Sequence, residues 1–312
     1  MTKPIRFGVQ TAPQNCTWAN LAAAWQLVDE TGYDTAFTFD HFFAILSDPA
    51  GPVFEGWTTL AALAARSAHV KAGVLVTGNT YRHPMVLAGM GKTIDHLTGG
   101  RLIMGLGAGW FELEHTAHGI PFYSTAERIR RLGETAAIIK RLWTEDKVSF
   151  DGKYYKLTDA YCEPKPVQRP HPPIMIGGGG EKLTLKIVAQ YADIWNTFGS
   201  PEEFRHKISI LREHCRTVGR DMEQIEICWA GATFVTSSSR EKEQIVERFS
   251  KAFGRAPAEV EAGLLVGTVE EMRDKISRYI EEGVTHFILM PVRLDGATIK
   301  RFAEEVIPKF RA

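Results

Sequence analysis

The chain has 312 residues, of which 44% are apolar, 24% charged and 10% aromatic, with 37 basic side chains against 37 acidic ones. A chain of this length buries a core without covalent staples, and the balanced charge leaves no electrostatic footprint for nucleic acid or an anionic membrane. No apolar run reaches the roughly 18 residues of a membrane span, MTKPIRFGVQ lacks signal-peptide character, and Cys16, Cys162, Cys215 and Cys228 have no metal-type spacing, so a cytoplasmic protein with reduced thiols is expected.

Strand and helix patterns alternate throughout. Ile5–Gln10 predicts a strand, Trp18–Glu30 a helix ending at Gly32, and Thr35–Phe39 a second strand. After a loop at Asp48–Pro52 come a helix over Thr58–Ala68 and a third strand, Val70–Val76. Pro84 opens a helix carried by Leu87–Leu97 and stopped by the pair Gly99-Gly100. Arg101–Leu106 is the fourth strand. Ala126–Trp143 follows as a long helix with Ile129, Leu132, Ala136, Ile139 and Leu142 on one stripe.

Lys147–Leu157 breaks this rhythm, because alternating large residues around Asp151-Gly152 predict an inserted hairpin. A proline-rich connection from Glu163 to Pro173 leads into strands at Pro173–Ile176, Asp193–Thr197, Ile225–Val235 and Phe287–Met290. Helices are predicted from Glu181 and over Glu202–Val218, Arg240–Gly254, Glu270–Glu282 and Ala297–Phe310. Eight alternating units predict the α/β class: a single (β/α)8 TIM barrel over residues 1–312 with a small β-hairpin insertion. A dinucleotide-binding Rossmann sheet is the competitor. Its fingerprint is missing, since no glycine cluster follows the first strand and Gly105-Leu-Gly-Ala-Gly-Trp110 misplaces the third glycine.

Reactive groups of a closed barrel lie at the carboxyl ends of its strands. Asp40-His41 follows the second strand, where a histidine exchanges protons near neutral pH; the alternative is a capping aspartate and a packing histidine. Gly73 and Gly78 permit a backbone bulge toward a ligand, or mark a plain turn. Gly105, Gly107 and Gly109 leave room for a planar ring. Glu112 and Glu114 invite comparison with glycosidase carboxylates, but two residues apart on a helix they point apart. Gly177–Gly180 before a helix offers bare amides to a phosphate, with Lys182 close in sequence, or is a flexible turn. Trp195 and Asn196 lie on the sixth strand, where a core tryptophan is the simpler reading. His115 and His118 lack the companion ligands of a metal site, and no metal is expected. These strand ends describe a pocket for a phosphorylated flat cofactor, which spacing alone does not name.

Over nearly its whole length the chain resembles the bacterial luciferase-like flavin and deazaflavin oxidoreductases. The segments carrying the resemblance are TFDHFF (Thr38–Phe43), GVLVTGNTYRHP (Gly73–Pro84), LTGGRLIMGLGAGW (Leu97–Trp110), LWTEDKVSFDGKYYKL (Leu142–Leu157), PKPVQRPHPPIMIGGGG (Pro164–Gly180) and YADIWN (Tyr191–Asn196). It is most similar to the branch of F420-dependent oxidoreductases.

The resemblance implies hydride transfer between coenzyme F420 and a small organic substrate, with an FMN-dependent monooxygenase or flavin reductase as the alternative. It also implies His41 as the proton-handling residue and Asp40 at the head of the deazaflavin. A bulge at Val74 and Leu75, with a cis peptide at Val74–Leu75 or Gly73–Val74, would back the ring. Thr77, Gly78 and Ala108 would line it, and Gly177, Gly178, Gly179 and Gly180 with Leu183 would hold the phosphate. A homodimer is implied as well. Deazaflavin-linked glucose-6-phosphate dehydrogenases of this class carry a glutamate where Trp110 stands, and sugar-phosphate contacts where Phe198 and Pro201 stand. Together with Phe111 these departures imply an apolar, aromatic-lined substrate pocket.

Overall fold

A computed structural model of the chain describes residues 3–45, 47–291, 294 and 296–311. The elements in order are β1 (Arg6–Gln10), α1 (Trp18–Glu30), β2 (Thr35–Thr38), α2 (Gly56–Ala64), β3 (Lys71–Val74), β4 (Thr77–Gly78), α3 (Pro84–Leu97) and β5 (Leu102–Gly107). Next come α4 (Glu112–Ala117), α5 (Thr125–Thr144), β6 (Val148–Asp151), β7 (Lys156–Ala160), β8 (Ile174–Gly177), α6 (Thr184–Tyr191), β9 (Ile194–Thr197) and α7 (Pro201–Val218). The remainder is β10 (Glu226–Val235), α8 (Ser239–Phe253), α9 (Pro257–Gly263), β11 (Leu265–Gly267), α10 (Val269–Glu281), β12 (His286–Pro291) and α11 (Ala297–Glu305).

Eight parallel strands close into a barrel in the order β1-β2-β3-β5-β8-β9-β10-β12, and β12 pairs back onto β1. The expected (β/α)8 TIM barrel is therefore present. Its strands are buried on both faces, as a parallel sheet covered by helices requires. Side chains alternate between two cores. Phe37, Leu75, Ile103, Met175, Ile194, Cys228 and Ile288 fill the inside of the barrel, while the opposite set packs under the helices. At the amino-terminal end of the barrel His286 lies 3.0 Å from Glu226 and 2.9 Å from Thr35, and a groove of about 840 Å³ opens there. That end is remote from the carboxyl ends where the chemistry of a barrel sits.

Several boundaries differ from expectation for local reasons. Helix α2 starts early at Gly56, because the Glu55 side chain caps it by accepting from the amides of Trp57 and Thr58. Helix α6 starts at Thr184 rather than Glu181, since residues 181–183 form a turn first. The hairpin is a separate two-stranded antiparallel sheet whose second strand runs on to Ala160. Its connection is four residues long, closed by the Gly152 amide on the Tyr155 carbonyl at 3.0 Å, in place of a two-residue turn. Helix α4 carries Glu112 and Glu114 as the sequence reading allowed, whereas helix α9 was not expected, because two turns carry too little periodicity to register. Among the described residues no helix is long and apolar enough to cross a membrane.

Candidate active site

The end of β2 delivers Asp40 and His41 side by side, with different partners. Arg82 grips both Asp40 oxygens, at 2.7 and 3.0 Å, and reaches Glu55 at 2.6 Å. The Asp40 side chain has no exposed surface; burial pushes its carboxyl up from the ordinary range while Arg82 pulls it down. Asp40 is thus paired with Arg82, a residue the sequence reading did not single out.

His41 keeps some exposure, at 12% of its side chain. Its Nδ1 lies 3.1 Å from Glu114 Oε2. Trp110 and Phe111, stacked on each other with ring centres 5.1 Å apart, both meet the imidazole edge-on, and Phe39 does the same. Helix α4 does split its two carboxylates: Glu112 is exposed, while Glu114 is buried and turned toward β2. Glu114 also accepts from the Tyr81 hydroxyl, from the Phe42 amide and from the Phe43 amide at 2.8 Å. Burial opposes its charge, but the bonds from His41, Tyr81 and Phe43 win and hold its pKa at about 2. Sequence reasoning considered Glu114 only as half of an acid pair and so missed its link to His41. His115 and His118 serve local structure, facing Thr80, the Phe111 carbonyl and the Glu114 carbonyl.

The break after β3 is one residue later than expected, with the cis peptide at Leu75–Val76. Gln10 donates to the Leu75 carbonyl at 2.7 Å, and β4 resumes pairing on β5. The nearby glycines are needed for contact rather than for unusual dihedrals, contrary to expectation. Neither Gly73 nor Gly78 has a positive φ; a Cβ would meet the Ile103 carbonyl at 2.4 Å and the Tyr81 ring at 2.8 Å respectively. Gly105 and Gly107 do not leave an open floor for a ring either. The Val74 carbonyl and the Val76 side chain occupy that space, and only Gly109, with φ at 74°, needs its dihedral. Thr77 is buried, its hydroxyl accepting from the Trp57 indole at 2.6 Å.

After β8 the glycine run turns across the barrel mouth. Gly178 has φ at 127°; its amide donates to the Asn196 carbonyl at 2.9 Å, and its carbonyl accepts from the Trp195 indole at 2.8 Å. Trp195 is thus both core and anchor of this loop. Among the described residues the amides of Gly179, Gly180, Glu181 and Lys182 have no hydrogen-bond partner, a row of free donors of the kind that binds phosphate. Lys182 is exposed and has no side-chain hydrogen bond or ion pair among the described residues. The cation at the loop is Lys207 of α7, 2.9 Å from the Gly179 carbonyl and 3.3 Å from Glu181, which sequence spacing gave no means of finding. Of the residues expected to touch a cofactor, Ala108, Gly177–Gly180 and Leu183 are at least partly exposed, whereas Asp40, Val74, Leu75, Thr77 and Gly78 are buried.

The profile of the luciferase-like monooxygenases matches residues 2–286. The chain belongs to the luciferase-like monooxygenase family. A relative along the full length is the F420-dependent glucose-6-phosphate dehydrogenase of Microbacterium testaceum (strain StLB037), 25% identical over all of this chain and 99% of its own length. The FMNH(2)-dependent dimethylsulfone monooxygenase of Pseudomonas putida is 32% identical over 57% of this chain and 48% of its own. Among solved structures, an F420-dependent secondary alcohol dehydrogenase in complex with an F420-acetone adduct superposes on 99% of this luciferase-like chain and 100% of its own, with a TM-score of 0.87 at 21% identity.

Proposed function

We propose that this chain is an oxidoreductase that moves a hydride between coenzyme F420 and a small, uncharged organic substrate. The observation that carries the reading is a partly exposed His41 at the end of β2, in a chain similar over its full length to an F420-dependent dehydrogenase. The donor set fits the cofactor: free amides at Gly179–Lys182 suit its phosphate. F420, when bound, supplies hydride chemistry at a ring carbon, without oxygen activation.

The chain's own residues do the rest. His41 holds or takes the proton at the substrate oxygen. Trp110 and Phe111 set apolar rings beside that proton and favour an apolar substrate; the 76% exposed Phe198 adds apolar surface where sugar-phosphate enzymes need polar groups. An alcohol or carbonyl compound without a phosphate is the substrate class this wall supports. We read the whole chain as one catalytic domain, working as a cytoplasmic homodimer.

The Pseudomonas putida relative favours a second reading, FMN-dependent oxygenation on the same barrel. Fluorescence-quenching titrations with F420 and FMN separate the two. Tighter F420 binding is expected; tighter FMN binding would transfer the chain to the second reading.

A further inference from the structure

We propose that Glu114 is the positioning residue of His41, holding the imidazole with its proton on Nδ1 so that Nε2 is the nitrogen that exchanges a proton with the substrate. The inference deepens the reading above and rests on His41 as its proton carrier.

Three observations carry it. First, an ionised carboxylate only accepts hydrogen bonds, so an Nδ1 lying 3.1 Å from Glu114 Oε2 must be the protonated nitrogen of a neutral ring. Nε2 has no hydrogen-bond partner among the described residues and is left free to accept. Second, the two oxygens divide their work. Oε1 takes the amides of Phe42 and Phe43, directly after the histidine, and Oε2 takes His41 itself and the Tyr81 hydroxyl. One carboxylate therefore fixes the backbone and the ring of the same residue. Third, Glu114 has no exposed side-chain surface and sits with its pKa at about 2, so it remains an anion throughout the working range.

A purely structural role, tying α4 to the β2 loop, predicts something different on Glu114→Gln. The amide oxygen can still accept from Phe42 and Phe43, which forces the NH2 group toward His41 and Tyr81. That group donates, so Nδ1 becomes an acceptor and the proton moves to Nε2. The shape is kept and the tautomer inverts.

The test is nitrogen NMR on the full-length protein with labelled histidine, the His41 signals being assigned by their loss in His41→Gln. The wild type should show protonated Nδ1 and bare Nε2, Glu114→Gln the reverse, and Glu114→Asp the wild-type form. Turnover of Glu114→Gln should fall about 100-fold or more with cofactor affinity and KM within about twofold, and Glu114→Asp should recover part of it. A proton on Nε2 in the wild type, or an unchanged tautomer in Glu114→Gln, overturns the proposal. Normal turnover in His41→Gln would instead remove the proton-carrier role and leave the tautomer result standing. The tautomer is read without cofactor, so it does not depend on F420 being the right partner.

Discussion

Val76 and Gly107 are locked together: a Cβ on the glycine would stand 2.6 Å from Val76 Cγ2. The same valine faces Gly177, where a Cβ would meet it at 3.0 Å. The glycines at the ends of β5 and β8 are thus the receptacle of the break after β3. Gly107→Ala should cost about 1–3 kcal/mol by overpacking, and Val76→Ala in the same chain should return part of it. Urea denaturation of the two single variants and the double variant checks this; strict additivity would mean the contact is not what matters. Gly105→Ala should be worse, since its Cβ would fall 1.9 Å from the Val74 carbonyl, which is backbone and cannot turn away.

The glycine loop after β8 makes a second prediction. Gly179 has no positive φ, so the dihedral constraint belongs to Gly178, and a side chain at 179 instead meets Thr197 at 3.0 Å and Lys207 at 3.4 Å. Gly179→Val should weaken cofactor binding by about 2 kcal/mol or more, with a smaller effect on folding because the loop lies at the barrel mouth. Lys207→Gln should weaken F420 and FMN by about tenfold and leave riboflavin, which has no phosphate, unaffected. Equal losses for all three ligands would place the phosphate elsewhere.

Acid stability follows from Glu114. Its folded pKa of about 2 lies below the ordinary 4.5, so its stabilising effect is complete above about pH 4.5 and is lost as pH falls toward 2. The shift is worth on the order of 3 kcal/mol. The melting-temperature gap between wild type and Glu114→Gln should therefore be widest at neutral pH, narrow below about pH 4.5 and close only as the pH approaches 2. A constant gap would mean that the charge of Glu114 contributes nothing.

His41→Ala should lower turnover by about 100-fold or more while cofactor affinity stays nearly intact, as lost acid–base assistance requires. Steady-state kinetics beside a cofactor titration decides it. Collapse of affinity with residual turnover near normal would make His41 a binding residue.

The barrel was legible because eight strand patterns and the helices between them repeat one unit, and the observed closure uses those same eight strands. Asp40, His41 and the Gly177–Gly180 run were legible because each follows a strand directly. What escaped was lateral. Arg82 reaches Asp40 from 42 residues away, Glu114 reaches His41 from 73, and Lys207 reaches Gly179 from 28. Such pairings come from barrel closure and leave no local periodicity. The packing of Val76, in the break between β3 and β4, against Gly107 and Gly177 is likewise set by barrel closure.

The central claim is hydride transfer with F420, and an anaerobic turnover assay tests it most directly. Oxidised F420 is offered with a panel of small uncharged alcohols, and reduced F420 with the matching carbonyl compounds, while the visible absorbance of the coenzyme is followed. The account predicts saturable loss or gain of that absorbance with apolar substrates, little with glucose 6-phosphate, and near-abolition in His41→Ala. No exchange with F420 in either direction, together with substrate-dependent oxygen consumption in the presence of reduced FMN, would contradict it.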